Sequence, residues 1–313
     1  MNETNAAEGH GRPAEPTPAS VFQVERLLDH PIIGAELPGL EGERGANING
    51  PSLIRVPDWV EQPLGRYYLY FAHHGGHYIR MAYADALTGP WTVYEPGVLH
   101  RDAGPGVQHI ASPDVLPDAD QRCLRMYFHQ PVEAGGQMSF VALSRDGLRW
   151  DVRQPILGPS YFRVFRHGSF YYAYAKNANV DGTLYRSRDG LGGFEPGPSF
   201  LPGIRHAAAL LRDDTLYLLY SAAGDRPERI LLTTFDLCQP WPDWTPAIPE
   251  IVLEPELTWE GADLPLERSR YGASWTPVRQ LRDPAVYEED GQLYLLYSGA
   301  GEKGIGLARL HWS

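Results

Sequence analysis

Leu216-Tyr-Leu-Leu-Tyr220 returns, residue for residue, as Leu293-Tyr-Leu-Leu-Tyr297. A short run of tyrosines and aliphatics bounded by Asp and Gly reads as a buried strand. Its recurrence makes the chain a candidate repeat protein. Three looser copies complete the series: Tyr67-Tyr-Leu-Tyr-Phe71, Arg125-Met-Tyr-Phe128 and Phe170-Tyr-Tyr-Ala-Tyr174. Upstream of each lies an apolar strand that opens near Pro or His: Pro51-Ser-Leu-Ile54, Pro113-Asp-Val-Leu116, Pro159-Ser-Tyr-Phe162, His206-Ala-Ala-Ala-Leu210 and Pro284-Ala-Val-Tyr287. Downstream of each, after a turn, comes a third strand, from Ile79-Arg-Met-Ala-Tyr83 in the first unit to Ile305-Gly-Leu-Ala-Arg309 in the last.

Short strands joined by Asp-Gly turns build meanders. No segment shows helical periodicity with caps. Generous Gly (33), Pro (28) and Tyr (18) fit many strands and tight turns. Five such units predict an all-β fold, a five-bladed β-propeller with blades of four antiparallel strands. The competing architecture, a β-sandwich or two small β domains, does not explain five matching units. The blades are expected at about 47–95, 108–152, 156–196, 203–248 and 280–313, with an insertion at 250–279 over the channel. The last unit runs out after three strands, so its outer strand is expected from Phe22 to Ile33, closing the ring. Residues 1–20 are polar and rich in Ala, Glu, Gly and Pro, and read as a flexible tail ahead of a propeller at 21–313.

The formal charge of −12 argues against a diffuse phosphate-binding surface, and hence against nucleic acid as a partner. No apolar run approaches the roughly 18 residues a membrane helix needs. The N-terminus lacks the basic-then-apolar order of a secretory signal. Only two cysteines, Cys123 and Cys238, suggest a reducing compartment. Together these readings predict a cytoplasmic protein.

In a propeller the inner strands line a central channel, and their entries share one face with the loops between second and third strands. Those entries are polar here: Asn47-Ile-Asn49-Gly50, His109-Ile-Ala-Ser-Pro-Asp114, Tyr161-Phe-Arg163, Arg205-His206 and Arg282-Asp283. The loops add His73-His74, His129-Gln130, Lys176-Asn177 and Asp225-Arg226. Five polar entries converging on one funnel predict a ligand. In the insertion, Trp259, Glu260, Asp263, Glu267, Tyr271 and Trp275 interleave rings with acids, a composition suited to sugar faces and hydroxyls. The competing reading is a loop that packs its own aromatics.

Ala111-Ser-Pro-Asp-Val115, Gly158-Pro-…-Phe170-Tyr-Tyr172 and Arg282-Asp-Pro-Ala-Val286, each followed by its tyrosine-rich strand, resemble the five-bladed glycosidases of glycoside hydrolase family 43 and its relatives in families 32, 68, 117 and 130. The resemblance spans roughly residues 45–313. It implies an inverting mechanism with three acids. Asp114 matches the pKa-setting aspartate; the base position falls on Asn49-Gly50 and the acid position on Leu157, neither of which titrates. A rearranged set is therefore expected, with Asp114, Asp283, Glu267 and His206 as catalytic candidates. Glu260, Asp263 and His73 are further candidates for the acid, family 117 being thought to use a histidine. Asn49, His73, His74, His109, Arg163, Arg205, Arg282, Trp259, Glu260 and Asp263 are the substrate-binding candidates.

Convergent arginines hint at an anionic sugar, unless each is neutralised by a neighbouring acid. No zinc spacing is present, and no cofactor is required; the resemblance leaves room for a channel ion such as calcium. The expected function is hydrolysis of a glycosidic bond in a small or anionic oligosaccharide. The alternatives are a carbohydrate-binding propeller that has lost catalysis and, as an outsider, a polysaccharide lyase.

Overall fold

The computed structural model describes residues 20–313, so the expected tail falls almost wholly outside the described residues. Five antiparallel sheets follow one another along the chain. Blade one comprises Asn49–Arg55, Tyr67–Ala72, Tyr78–Ala84 and Thr92–Val93. Blade two comprises Ala111–Asp118, Cys123–Pro131, Gln137–Ser144 and Asp151–Val152. Blade three comprises Arg163–His167, Phe170–Asn177, Asp181–Ser187 and Glu195–Phe200. Blade four comprises Ile204–Arg212, Thr215–Ala222, Ile230–Asp236 and Glu250–Leu253. Blade five comprises Arg282–Glu289, Gln292–Gly299 and Gly304–Trp312, with Phe22–Arg26 as its outer strand. The ring is thus closed by a strand from the N-terminal side, paired Phe22 to Trp312 through Arg26 to Ala308. A two-residue strand, Ile33–Gly34, adds to the same edge. Among the described residues no helix is long and apolar enough to cross a membrane.

Two boundaries differ from the sequence expectation. The outer strand of blade four is Glu250–Leu253, where the sequence predicts the start of the insertion. The inner strand of blade three is Arg163–His167. Gly158–Pro159 pairs instead with Gln137–Ser144 of blade two. Tyr161 explains the break: its φ of +66° takes the chain out of extended geometry just before the strand.

The tyrosine-rich strands are buried because each second strand is flanked on both faces by neighbouring blades. Five apolar clusters result, each filling the wedge between two blades. Tyr70, Met126 and Phe140 meet between blades one and two, while Leu219, Leu295 and Leu310 meet between blades four and five. Repeated apolar wedges of this kind hold the ring together.

The inner strands share a device that shapes the channel. Register shifts interrupt pairing between Asn49 and Ser52, Ala111 and Asp114, and Arg282 and Ala285. In each, the residue before a proline is left-handed: Gly50 (φ +59°), Ser112 (φ +53°) and Asp283 (φ +51°). These bulges re-aim the adjacent side chains at the mouth of the channel. Glycine adopts this conformation freely, whereas Asp283 carries it at a cost of about 1 kcal/mol or more.

Candidate functional site: a funnel of imidazoles, tyrosines and one held carboxylate

At the end of the ring where the inner strands enter lies a cavity of about 670 Å³. Its wall is built around an arc of rings. His74 lies 6.4 Å from His109, His109 6.0 Å from His129, His129 4.4 Å from Tyr161, and Tyr161 4.1 Å from His206. Blades one to four each contribute a member. Burial is the main reason that His109 and His129 titrate below the usual histidine range, with neighbouring imidazoles adding to the effect. Among the described residues no group of three or more His, Cys, Asp or Glu side chains is arranged to hold a metal ion.

His206 forms the end of the arc. Its Nδ1 sits against Asp283 Oδ1 in blade five, and its Nε2 has no partner. Asp283 is itself fixed by the Gly50 amide (3.3 Å) and the Ser298 hydroxyl (3.2 Å), both donating to Oδ2. Full burial, with the positive charges of Arg163, Lys176 and Arg205, holds the imidazole well below the ordinary 6.5. Such a ring is a neutral imidazole, and the tautomer that carries its proton on Nδ1, against Asp283, leaves a lone pair on Nε2.

The carboxylate on the cavity wall is Glu302, from the loop between the second and third strands of blade five. Arg282 donates to its Oε1 at 2.8 Å, and the Asn47 amide donates to Oε2. Asn49 lies 3.4 Å from Oε2 and His74 Nδ1 3.7 Å. Asn47 in turn accepts at Oδ1 from Asn49 (2.7 Å) and from the His74 amide (2.8 Å). Burial alone would raise the Glu302 pKa, but His74, Arg282 and Asn47 outweigh it and bring it down to about 2. The amides at the entry of blade one, where the family resemblance would place a base, thus serve as donors that keep a carboxylate from blade five ionised.

The sequence-derived candidates separate into two groups. Asn49, His74, His109, Arg205 and His206 line the cavity. The others stand elsewhere. Asp283 is buried behind His206. Asp114 opens instead into a separate cavity of about 500 Å³ at the opposite end of the channel, where it accepts from the Val164 amide at 2.9 Å. Arg163 is spent on the carbonyls of Ala207, Ser112 and Phe162, tying blades two, three and four together. Arg282 is held by Glu302 and Gln280, and Arg205 by Glu228 (2.6 and 3.0 Å). These arginines are therefore neutralised or saturated within the protein.

The insertion behaves mainly as a self-packing loop. Trp259 stacks on Tyr297 and covers Gly299 and Gly306. Glu260 is fully buried and accepts from Arg26 (2.8 and 2.9 Å) and Tyr297 (2.7 Å). Asp263 accepts from Thr258, and Glu267 is exposed outside the funnel. His73 packs near Trp275 rather than on the cavity. From the insertion, Tyr271 and Gly272 reach the wall. Arg205 and Arg282 hold that segment by its Gly272 carbonyl, each at 3.3 Å.

No family model matches the chain. An uncharacterized protein, R118, of Acanthamoeba polyphaga mimivirus is 34% identical over 324 residues, covering 92% of this chain and 90% of its own length. The chain belongs to the same family as R118. The fold of this chain is shared with solved propeller glycosidases. The catalytic domain of a Coprinopsis cinerea family-62 α-L-arabinofuranosidase superposes with a TM-score of 0.61 at 14% identity, covering 94% of this chain and 98% of that one. A family-43 β-xylosidase/α-arabinofuranosidase from a compost metagenome, in complex with xylotriose, gives 0.60 at 13% identity, covering 93% and 95%. A thermostable family-43 glycoside hydrolase gives 0.58 at 15% identity, covering 85% and 89%. The resemblance read from Ala111-Ser-Pro-Asp-Val115 and its counterparts therefore holds for the fold.

Proposed function

We propose that the funnel hydrolyses a glycosidic bond of a small or anionic oligosaccharide, with His206 as the proton acceptor. The observation that carries this reading is the His206–Asp283 pair: His206 lines the cavity, and its buried Nε2 has no partner within the protein. Asp283 fixes the tautomer, and burial among cations keeps the ring neutral. Nε2 then takes a proton from water as its oxygen attacks the anomeric carbon. Tyr161 packs on His206 and burial raises its pKa to about 12, so it stays a phenol and is the donor we assign to the departing oxygen. Glu302, ionised and fixed, stabilises positive charge developing at the anomeric centre. The fold's similarity to glycosidases, one of them solved with xylotriose, supports a carbohydrate in this funnel.

A second reading, a non-catalytic carbohydrate-binding propeller, is favoured by one observation. Glu302 has its oxygens occupied by Arg282 and Asn47, and Asp114 opens at the far end of the channel, so the described residues form no carboxylate pair across the cavity. The test is a panel of aryl glycosides and of uronate- and sulfate-bearing oligosaccharides, scored for product and for thermal shift. Product release that falls about 10²- to 10⁴-fold in both His206→Gln and Asp283→Asn supports hydrolysis. Thermal stabilisation without product establishes the binding reading, and product unchanged in both variants removes His206 from the chemistry.

A further inference from the structure

Among the described residues that line the funnel, Lys176 is a cation left without a carboxylate partner. It stands near the end of the second strand of blade three, and its Nζ lies 4.5 Å from the Tyr271 ring centroid and 5.3 Å from that of Tyr161. Its backbone amide donates to the Ser160 carbonyl at 2.9 Å, but its ammonium makes no hydrogen bond and no ion pair among the described residues, in contrast to the guanidinium groups around it. Arg205 is bidentate to Glu228, Arg282 is bound to Glu302 and 3.5 Å from Glu228, and Arg163 donates to carbonyls. Glu228 is the carboxylate that most favours the charged lysine, and both of its oxygens are already engaged by arginines.

A half-buried ammonium with no counter-charge is costly. Two tyrosine faces offset part of that cost through cation–π attraction. Burial and the nearby Arg205 still bring the lysine down to about 8. Beside it, Tyr271 Oη, His129 Nδ1 and His206 Nε2 are buried polar atoms with no partner, all on residues that line the same cavity. The residues that carry this ammonium, the phenol and the two imidazoles thus line a space large enough for a sugar, and those polar atoms make no bond within the protein.

Building on the reading of the funnel as a carbohydrate site, we infer that Lys176 is the specificity residue for an anionic group carried by the sugar: a carboxylate, sulfate ester or phosphate ester seated between Tyr161 and Tyr271. Lysine binds such groups as a point charge with three rotatable donors, so one position serves all three chemistries. The partnered arginines hold the wall in shape, and Lys176 makes the contact.

The test is calorimetric titration of the intact protein with methyl glucuronide, glucose 6-sulfate and glucose 6-phosphate, each against methyl glucoside. At least one charged probe is expected to bind about ten- to hundred-fold more tightly than the neutral sugar, the range of a charge-assisted contact. That preference is lost in Lys176→Met and largely kept in Lys176→Arg. It also weakens as pH rises through about 8, where the free lysine deprotonates. Which probe wins identifies the anion. Equal affinity for charged and neutral probes, no binding of any charged probe at millimolar concentration, or a preference that survives Lys176→Met overturns the inference. The thermal midpoint of Lys176→Met separates loss of the contact from loss of the fold. Because binding is read without turnover, failure of the hydrolytic reading leaves this result intact. Conversely, release of product from neutral glycosides without charge discrimination sinks this inference alone.

Discussion

Replacing Glu302 by Gln removes one charge and exchanges one oxygen for an amide nitrogen, and the structure allows its effect to be worked out. Donors approach from both sides, Arg282 on Oε1 and Asn47 with Asn49 on Oε2. A glutamine satisfies one side and sets donor against donor on the other. It also leaves Arg282 with one carboxylate fewer in a buried setting. The expected cost at pH 7 is about 3–5 kcal/mol. A second number comes from pH. Glu302 titrates at about 2 in the folded protein against an ordinary 4.5. The folded value is depressed, so the contribution is present above 4.5 and is lost as pH falls toward 2. It amounts to about 3 kcal/mol at neutral pH, of which about 2 kcal/mol is gone by pH 3. Urea unfolding of both proteins at pH 7, 5 and 3 reads this directly, because other carboxylates contribute alike to both. The stability gap should open at about 3–5 kcal/mol and narrow by about 2 kcal/mol at pH 3. A gap that stays constant across this range would show that Glu302 is not held as an ionised clamp, and the account of the Asn47–Asn49 amides would fall with it.

Arg26→Ala should destabilise by about 3–5 kcal/mol in urea unfolding, since it strips Glu260 of its cation in a fully buried site; Arg26→Lys, which keeps a positive charge beside Glu260, should lose less. Gly306→Ala places a Cβ 2.6 Å from Tyr297 Cζ and 2.8 Å from Trp259 Cη2, and is expected to lower stability by about 1–3 kcal/mol, read as a drop in thermal midpoint. If hydrolysis is confirmed, the acidic limb of its pH profile should lie below 6.5, because the His206 imidazole is displaced downward and stays neutral until that lower value is passed; a limb above 6.5 would exclude His206 as the base.

The propeller could be read from the chain because its signal is local and repeated. Leu216–Tyr220 and Leu293–Tyr297 each encode a strand with an apolar neighbour on either side, and five copies leave little choice of architecture. Strand ends were less visible. Glu250–Leu253 is a short outer strand with exposed Ile251, which carries no strong pattern, and Pro159, at the expected start of an inner strand, pairs instead with Met138 of blade two. The site was legible as a place more than as a set of roles. Arg163 and Arg205 were recognisable as channel residues, but their partners, Ala207 and Glu228, come from other segments. Glu302 escaped because Gly299-Ala-Gly-Glu-Lys-Gly304 looks like a solvent turn with an incidental acid. Its position offered a signal all the same. It follows the second strand of blade five, as His74 follows that of blade one, while His129 and Lys176 stand near the ends of the second strands of blades two and three, so the repeat itself points to it.

The seam between blades five and one has a consequence for how the protein comes into being. Asn47 and Glu302 are 255 residues apart, and Arg26 and Glu260 are 234 apart, yet both pairs bridge elements that meet only when the ring shuts. Four blades can form from neighbouring segments as the chain emerges, whereas these contacts wait for the last. Closing so long a loop is slow relative to the local meanders. The funnel therefore acquires its charge pattern in the final step of folding, and a molecule caught with its ring open would carry well-formed sheets and no competent site.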